Sequence, residues 1–222
     1  MDFMYSIIVA IIGVFCLTVG FILSRANYKK RFQDSYSLLN HFPFEINYGT
    51  YGFENIFGNF FLAISVISCL LFYTTFQGSR GEGLGIFIFV AGIIGAFLNE
   101  LLSYLSTKYL KTHIIALTLN TALTFMLISA TLLLNLKYYR DSHNVMNLVG
   151  IIYSGVIALG VFILVINPKL SFKIKGKEVK DEKGETKLVR PSFIPVAFTE
   201  WMVLFAYFLN QLGIIFFLIS IK

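Results

Sequence analysis

Six long apolar stretches run through this 222-residue chain and restrict its fold more than any other feature. A helix that crosses the hydrocarbon core of a bilayer needs roughly 20 mostly apolar residues. The predicted spans are Phe3–Leu23, Ile56–Phe76, Leu84–Leu105, Ile114–Leu136, Val145–Ile166 and Phe193–Ile221. Because lipid offers no partners for backbone polar groups, each span must be a helix. The sequence therefore predicts an all-α integral membrane protein with six transmembrane helices, built as a single polytopic domain over residues 1–222.

The composition excludes several classes of protein. Hydrophobic residues make up 57% of the chain and charged residues only 14%, whereas an average soluble protein has about 25% charged residues. This composition rules out a disordered chain, a nucleic-acid-binding domain and an ordinary soluble enzyme. The net charge of +6 comes from basic residues between the apolar stretches, where they act as topology signals. We therefore expect the lipid bilayer, and no nucleic acid, as a partner.

The distribution of Lys and Arg predicts the orientation. The connections after the first, third and fifth spans, residues 24–55, 106–113 and 167–192, hold 14 of the 18 basic residues. Because basic loops stay on the cytoplasmic side, the N- and C-termini are predicted to be extracytoplasmic. We expect a multi-pass protein of the plasma membrane. The richness in Phe, Ile, Lys and Asn is typical of AT-rich genomes and favours a bacterial source.

The first cytoplasmic segment contains a helical pattern beside a basic cluster. Tyr28, Phe32, Tyr36 and Leu39 are spaced as one apolar face of a helix. This helix is predicted either to lie in the headgroup layer or to continue the first span. The alternative is a dock for anionic lipid or a partner protein, with Lys29, Lys30, Arg31 and Phe32 as contacts. The aromatic stretch 41–49 contains Pro43, so it is predicted to be a loop that folds back against either the bundle or the membrane interface.

The third cytoplasmic segment has a different pattern. Ser171–Val189 alternates apolar and charged residues around Asp181–Gly184, which has the composition of a turn. We predict a short cytoplasmic β-hairpin between the fifth and sixth helices. It is either a solvated connector whose charge sets the topology or a dock for a cytoplasmic partner.

Polar residues inside the spans are the best candidates for function, since a charge at the centre of a bilayer costs at least about 2.5–3.5 kcal/mol. Glu100 and Glu200 are the two acids of this kind. The sequence places four polar residues at the same depth: Asn59, Asn99, His113 and Asn120. A polar stripe also follows the fourth span, formed by Asn120, Thr124, Thr131 and Asn135. These residues predict either a substrate- or ion-binding cavity or a structural hydrogen-bond network.

Small residues recur at spacings that allow close helix packing. Gly150, Ser154 and Ala158 stand four apart in the fifth span, and Gly85 and Gly92 stand seven apart in the third. Such spacing lets helix backbones approach within a bundle or between protomers. It is compatible with a homo-oligomer and gives no direct indication of function.

The sequence contains no recognisable catalytic motif, phosphate-binding loop or zinc pair, so we expect no metal and no cofactor. Cys16 and Cys69 lie inside spans and are interpreted as small hydrophobic residues. Three functions remain open. The leading hypothesis is a transport or transport-accessory protein with a polar intramembrane cluster facing the cytoplasm. The alternatives are an interaction subunit that docks a membrane or cytoplasmic protein, and a lipid-modifying enzyme that uses Glu100 and Glu200 as acid and base.

The predicted orientation can be tested with reporters fused to the C-terminus. A reporter that is active only outside the cytoplasm should give a signal, and a reporter that needs the cytoplasm should give none, because the basic segments hold the odd connections inside. The opposite pattern of activity would reverse the topology.

Overall fold

The computed structural model describes residues 3–47, 55–76, 83–105, 109–167, 177–180 and 186–221. Its six α-helices are α1 (Phe3–Phe32), α2 (Ile56–Phe76), α3 (Gly83–Tyr104), α4 (Leu110–Ser142), α5 (Val145–Val165) and α6 (Pro195–Ser220). All six are long and apolar enough to cross a membrane. The prediction of a multi-pass α-helical membrane protein is confirmed at this level.

The first helix is longer than its predicted span. The sequence predicts an apolar span that ends at Leu23, whereas α1 continues to Phe32 and is about 45 Å long at 1.5 Å per residue. The continuation alternative is therefore correct up to Phe32. Gln33 adopts a positive φ of 54° and ends the helix. Tyr36 and Leu39 consequently do not lie on one helical face with Tyr28, and that part of the prediction is wrong.

The fourth helix also extends beyond its predicted bounds. It begins at Leu110 and ends at Ser142, so it gains about one turn at its start and nearly two turns at its end. His143 follows in the left-handed conformation, and the Asn144 side chain then accepts a hydrogen bond from the backbone N–H of Met146. This cap starts α5 directly, which explains the sharp turn between the two helices.

The helices run in alternating directions, so α1, α3 and α5 end where α2, α4 and α6 begin. We call this end of the bundle the capped end, because residues 33–47 fold across it. The last part of that segment is a short 3-10 helix, Pro43–Asn47, which packs on α1, α3 and α6. Of the six spans α6 is the most buried and α5 the least. The sixth helix is therefore the centre around which the others pack.

We call residues 33–47 the cap segment. Hydrogen bonds fix it to the chain just before α6: the Ile194 N–H donates to the Leu39 carbonyl at 2.8 Å, and the Asn40 amide donates to the Pro191 carbonyl at 3.1 Å. The Tyr36 hydroxyl donates to the Phe42 carbonyl at 2.6 Å, inside the segment. These bonds hold the buried rings of Tyr36 and Phe42 against the bundle, as predicted for an aromatic loop that folds back.

Two four-residue strands lie between α5 and α6. Strands β1 (Lys177–Lys180) and β2 (Thr186–Val189) pair antiparallel, with Lys177 opposite Val189. The predicted turn residues 181–184 lie outside the described residues. Arg190 follows β2 immediately, so the pair of strands leads directly into the cap contacts.

Glycines allow the closest contacts between helices. A Cβ atom added at Gly92 in α3 would lie 2.2 Å from the ring of Tyr73, which is fully buried in α2. A Cβ atom at Gly150 in α5 would lie 2.3 Å from the side-chain oxygen of Asn135 in α4. The small-residue spacing thus serves packing within the bundle at these two positions.

We expect Gly92→Ala to destabilise the protein by about 1–3 kcal/mol, because the added methyl group overlaps a ring that cannot move freely. Gly160→Ala in α5 is the matched control, since a Cβ atom there meets nothing within 4 Å. Both changes gain the same helix propensity. Unfolding in mixed micelles measures the free energy, and equal stability of the two variants would contradict the packing argument.

Candidate functional site

A histidine and a glutamate pair inside the capped end. His113 lies in the first turn of α4 and Glu200 in the second turn of α6. The His113 Nε2 and Glu200 Oε2 atoms are 3.0 Å apart, and both side chains are almost completely buried. The other ring nitrogen, Nδ1, is 2.8 Å from the Leu105 carbonyl oxygen. Because a carbonyl oxygen only accepts, Nδ1 carries a hydrogen, and a single further proton is shared between Nε2 and Oε2.

The second carboxylate oxygen of Glu200 differs from the first. Among the described residues, Glu200 Oε1 is buried and has no hydrogen-bond partner. Leaving a buried polar atom without a partner costs about 1–3 kcal/mol, and more for a charged group. A purely structural ion pair would be expected to satisfy both oxygens. This oxygen is therefore open to a further hydrogen-bond donor or to a proton.

The cap segment covers this pair with aromatic rings. Phe42 and Phe44 stand edge-on to the His113 imidazole, with ring centres 5.8 Å and 5.9 Å away. Glu45, on the same short helix, accepts from the Phe42 N–H at 2.7 Å and from Arg190 through two bonds of 2.8 Å. The position of the two rings therefore depends on the Arg190–Glu45 ion pair, which is partly exposed.

A second pair lies deeper in the bundle. The Asn120 amide in α4 donates to the Asn99 side-chain oxygen in α3 at 2.9 Å, and the Asn99 amide donates to the Gly95 carbonyl. All four residues of the predicted α4 stripe are buried. Asn120 and Asn135 both hydrogen-bond to a neighbouring helix, since Asn135 donates to the Gly213 carbonyl of α6 at 3.1 Å. The stripe thus faces the interior of the bundle.

A cavity of about 650 Å³ opens on the other side of α6. Its walls come from α1, α2, α3 and α6, and Pro43 and Ile46 of the cap segment close its capped end. On α6 the lining extends from Trp201 to Ile215, about 21 Å of helix. Most of the lining is apolar. The polar side chains are Thr18, Ser65, Asn99, Glu100, Ser103 and Gln211.

The cavity has a lateral mouth beside α1, which makes few contacts with α3 and α6. Ile11 and Phe15 on α1 line the cavity and are also largely exposed on the outside of the bundle, as is Tyr104 on α3. Exposed apolar side chains at mid-helix face the hydrocarbon of a bilayer.

Glu100 stands at this mouth, near the end of α3. It is half-buried and lines the cavity beside Ser103 and Tyr104. Within the part of the chain that the structure describes, no ion pair joins Glu100 to a cation. A carboxylate in a mostly apolar cavity without a fixed counter-charge attracts a cation or a proton.

The six predicted intramembrane residues thus fall into separate groups. His113 and Glu200 form one pair and Asn99 and Asn120 another, while Glu100 lines the cavity near Asn99. Asn59 is half-buried in the first turn of α2, and no hydrogen bond joins its side chain to the other five among the described residues. The expected common cluster is therefore divided between the α4–α6 contact, the α3–α4 contact and the cavity lining, with Asn59 apart from all three.

The basic cluster occupies the last turn of α1. Lys29, Lys30 and Phe32 are exposed, while Arg31 is half-buried, with its guanidinium 4.8 Å from the centre of the Phe32 ring. This places two lysines at the rim of the capped end, on the helix that forms one wall of the cavity.

Three contacts of the site were missed from sequence because their partners lie more than 130 residues apart. These are the Arg190–Glu45 ion pair, the Trp201–His41 hydrogen bond and the Tyr207–Cys69–Gln211 group in the cavity wall. Cys69 is thus more than a small hydrophobic residue, because its sulfur accepts a hydrogen bond from the Gln211 amide at 2.9 Å.

Within the described part of the chain, no three His, Cys, Asp or Glu side chains are grouped to hold a metal ion. Comparison of the chain with family models, with curated proteins and with solved structures finds no match.

Acid should loosen the cap segment through His41. Burial, and then the charge of Arg190, lower the pKa of His41 below its ordinary value. Between that lowered pKa and about pH 6.5, the opened segment binds more protons than the closed one, so the closed form loses stability as the pH falls.

The emission of Trp201 reports this change, because Trp201 is the single tryptophan and its indole N–H donates to the His41 carbonyl at 2.9 Å. We expect a red shift below about pH 6.5 that is reduced in His41→Gln. His143→Gln, at an exposed histidine near the opposite end of the bundle, should keep it. A full red shift in His41→Gln would show that His41 is not responsible.

Proposed function

We propose that this chain is a plasma-membrane transport or transport-accessory protein that binds a cationic amphiphile entering from the bilayer. The observation that carries this proposal is the cavity with Glu100 at its lateral mouth. Its volume of about 650 Å³ lies in the range of small-molecule sites, roughly 300–1,000 Å³. The apolar length along α6 suits a hydrocarbon or aromatic body, and the carboxylate suits a positive head.

The position of Glu100 supports a head group near the membrane surface. Glu100 is four residues before the end of α3, about 6 Å along the helix axis. A ligand with its cation at Glu100 would therefore point its apolar part toward the middle of the bilayer, along Leu204 and Phe208. Lipids and lipid-like cations have this distribution of polarity.

The distribution of basic residues predicts that the capped end faces the cytoplasm. In that orientation the cavity mouth lies in the inner leaflet, and the paired strands project into the cytoplasm. The exposed Lys29 and Lys30 then lie where anionic headgroups are found, and each contributes about 1 kcal/mol of attraction to such a surface.

A role as an interaction subunit is the second candidate, favoured by one contact. Arg190 directly follows β2 and donates two hydrogen bonds to the Glu45 carboxylate of the cap segment. A cytoplasmic protein bound to the strands would therefore influence the position of the segment that closes the cavity. A transport protein that is regulated by a cytoplasmic partner would combine the transport role and the interaction role. The enzyme alternative has less support, because Glu100 lines the cavity while Glu200 does not, and the two acids do not face one substrate.

Ligand binding can be measured through Trp201, which lines the cavity. In lipid nanodiscs, tetraphenylphosphonium should change Trp201 fluorescence, and Glu100→Gln should weaken its apparent affinity about tenfold, or about 1.4 kcal/mol. Tetraphenylborate has nearly the same size and the opposite charge, so its binding should not weaken in Glu100→Gln. Asp141→Asn, which removes an exposed carboxylate near the far end of α4, is the matched control.

Equal affinity of the wild type and Glu100→Gln for tetraphenylphosphonium would contradict the proposal. Uptake of ethidium into proteoliposomes with trapped nucleic acid then separates the two forms of the function. Glu100-dependent uptake supports transport, and binding without uptake supports an accessory role.

A further inference from the structure

We propose that His113 and Glu200 form a proton-binding site, and that the cap segment controls its access to water. In the closed form the pair shares one proton between Nε2 and Oε2, and its net charge is zero wherever that proton lies. A second proton from water binds when the cap segment lifts, and it returns to water by the same route. The loaded pair then consists of an imidazolium and a carboxylic acid.

The geometry favours uptake of a proton over release. Loss of the shared proton would place a nitrogen lone pair against a carboxylate oxygen at 3.0 Å, in a buried site with no other donor between them. Uptake uses Glu200 Oε1, which is buried and has no hydrogen-bond partner among the described residues. The Leu105 carbonyl holds the imidazole in place in both states, because Nδ1 donates to it throughout.

Charged groups around the pair also favour uptake. On the cap segment, the Glu45 carboxylate is close enough to act electrostatically on Glu200, and both carboxylates act on the Tyr36 hydroxyl. His41 of the same segment interacts with Glu45 and with Arg190, which follows β2. On α3, Glu100 faces the cavity instead, and Lys111 on α4 is exposed. A positive charge on the loaded pair therefore has Glu45 as its nearest counter-charge.

The same carboxylate connects the proton to the cap segment. Glu45 is held by Arg190 in the closed form, and its short helix carries Phe42 and Phe44 over the imidazole. A positive pair competes with Arg190 for Glu45, so loading the site weakens the ion pair that closes it. Pro43 and Ile46 of the same helix line the cavity, which links proton occupancy to the ligand site. Only this last link, to transport, rests on the proposed function.

Infrared difference spectroscopy of the protein in nanodiscs tests the site without any ligand. Between about pH 8 and about pH 5 we expect a state that shows the carboxylic acid band of Glu200 and the imidazolium bands of His113 together. Glu200→Gln and His113→Gln assign these bands, and Glu100→Gln controls for the other intramembrane acid. Glu200→Gln is isosteric and still donates to Nε2, so it preserves the fold. A pair that never gains a second proton in this range would overturn the proposal.

Access is tested by the rate at which the Glu200 carboxyl exchanges its proton for deuterium. Arg190→Gln should raise this rate about tenfold, as expected for the loss of a charge-assisted bond that holds the cap segment closed. Arg140→Gln, at an exposed arginine near the opposite end of the bundle, should leave it unchanged. An unchanged rate in Arg190→Gln would show that the cap segment does not control the site. Neither measurement depends on whether an amphiphile binds at Glu100.

Discussion

Hydrogen bonds from α6 to its neighbours are the interaction on which the rest of the structure depends. In a bilayer, apolar side chains gain little by leaving lipid for protein, so helix association relies on close packing and polar contacts. The sixth helix supplies such contacts along its whole length: Glu200 to α4, Trp201 to the cap segment, Tyr207 to α3, Gln211 to α2 and the Gly213 carbonyl to α4. These hydrogen bonds along α6 explain its central position in the bundle.

The cavity is a consequence of the same arrangement. Helix α6 makes polar contacts with α2, α3 and α4, whereas α1 joins the bundle mainly by packing on α2 and makes few contacts with α3 and α6. The space that this leaves beside α1 is lined by α2, α3 and α6 and is closed at one end by the cap segment. A lateral opening at this position is therefore a property of the helix order, and Glu100 is the one acidic side chain among the described residues that lines it.

The sequence was sufficient for elements whose signal is local. The bounds of α2 match the prediction, because its apolar stretch is flanked by polar and glycine-rich segments, whereas α1 and α4 overrun theirs because charged residues such as Lys29 and Lys111 are good helix formers outside the hydrocarbon. The sequence predicted which residues form the candidate site, but it did not predict which of them contact one another. The pairing of His113 with Glu200, 87 positions later, depends on how the helices are rotated, and hydropathy carries no information about that rotation.

The two intramembrane acids show why grouping decides function. Both were selected because a carboxylate in lipid is costly, yet each meets this cost in a different way. Glu200 is enclosed, shares a proton with His113 and is covered by rings held through Glu45, which is an arrangement suited to the proposed exchange of a proton with water. Glu100 is half-buried in the lining of an apolar cavity, which is an arrangement suited to the proposed binding of a cation. The 3-10 helix Pro43–Asn47 contacts both places. Phe44 in this helix and Phe42 just before it stand over the pair, while Pro43 and Ile46 close the cavity. Movement of that one short helix is consequently sufficient to change both sites together, without any change in the six spans.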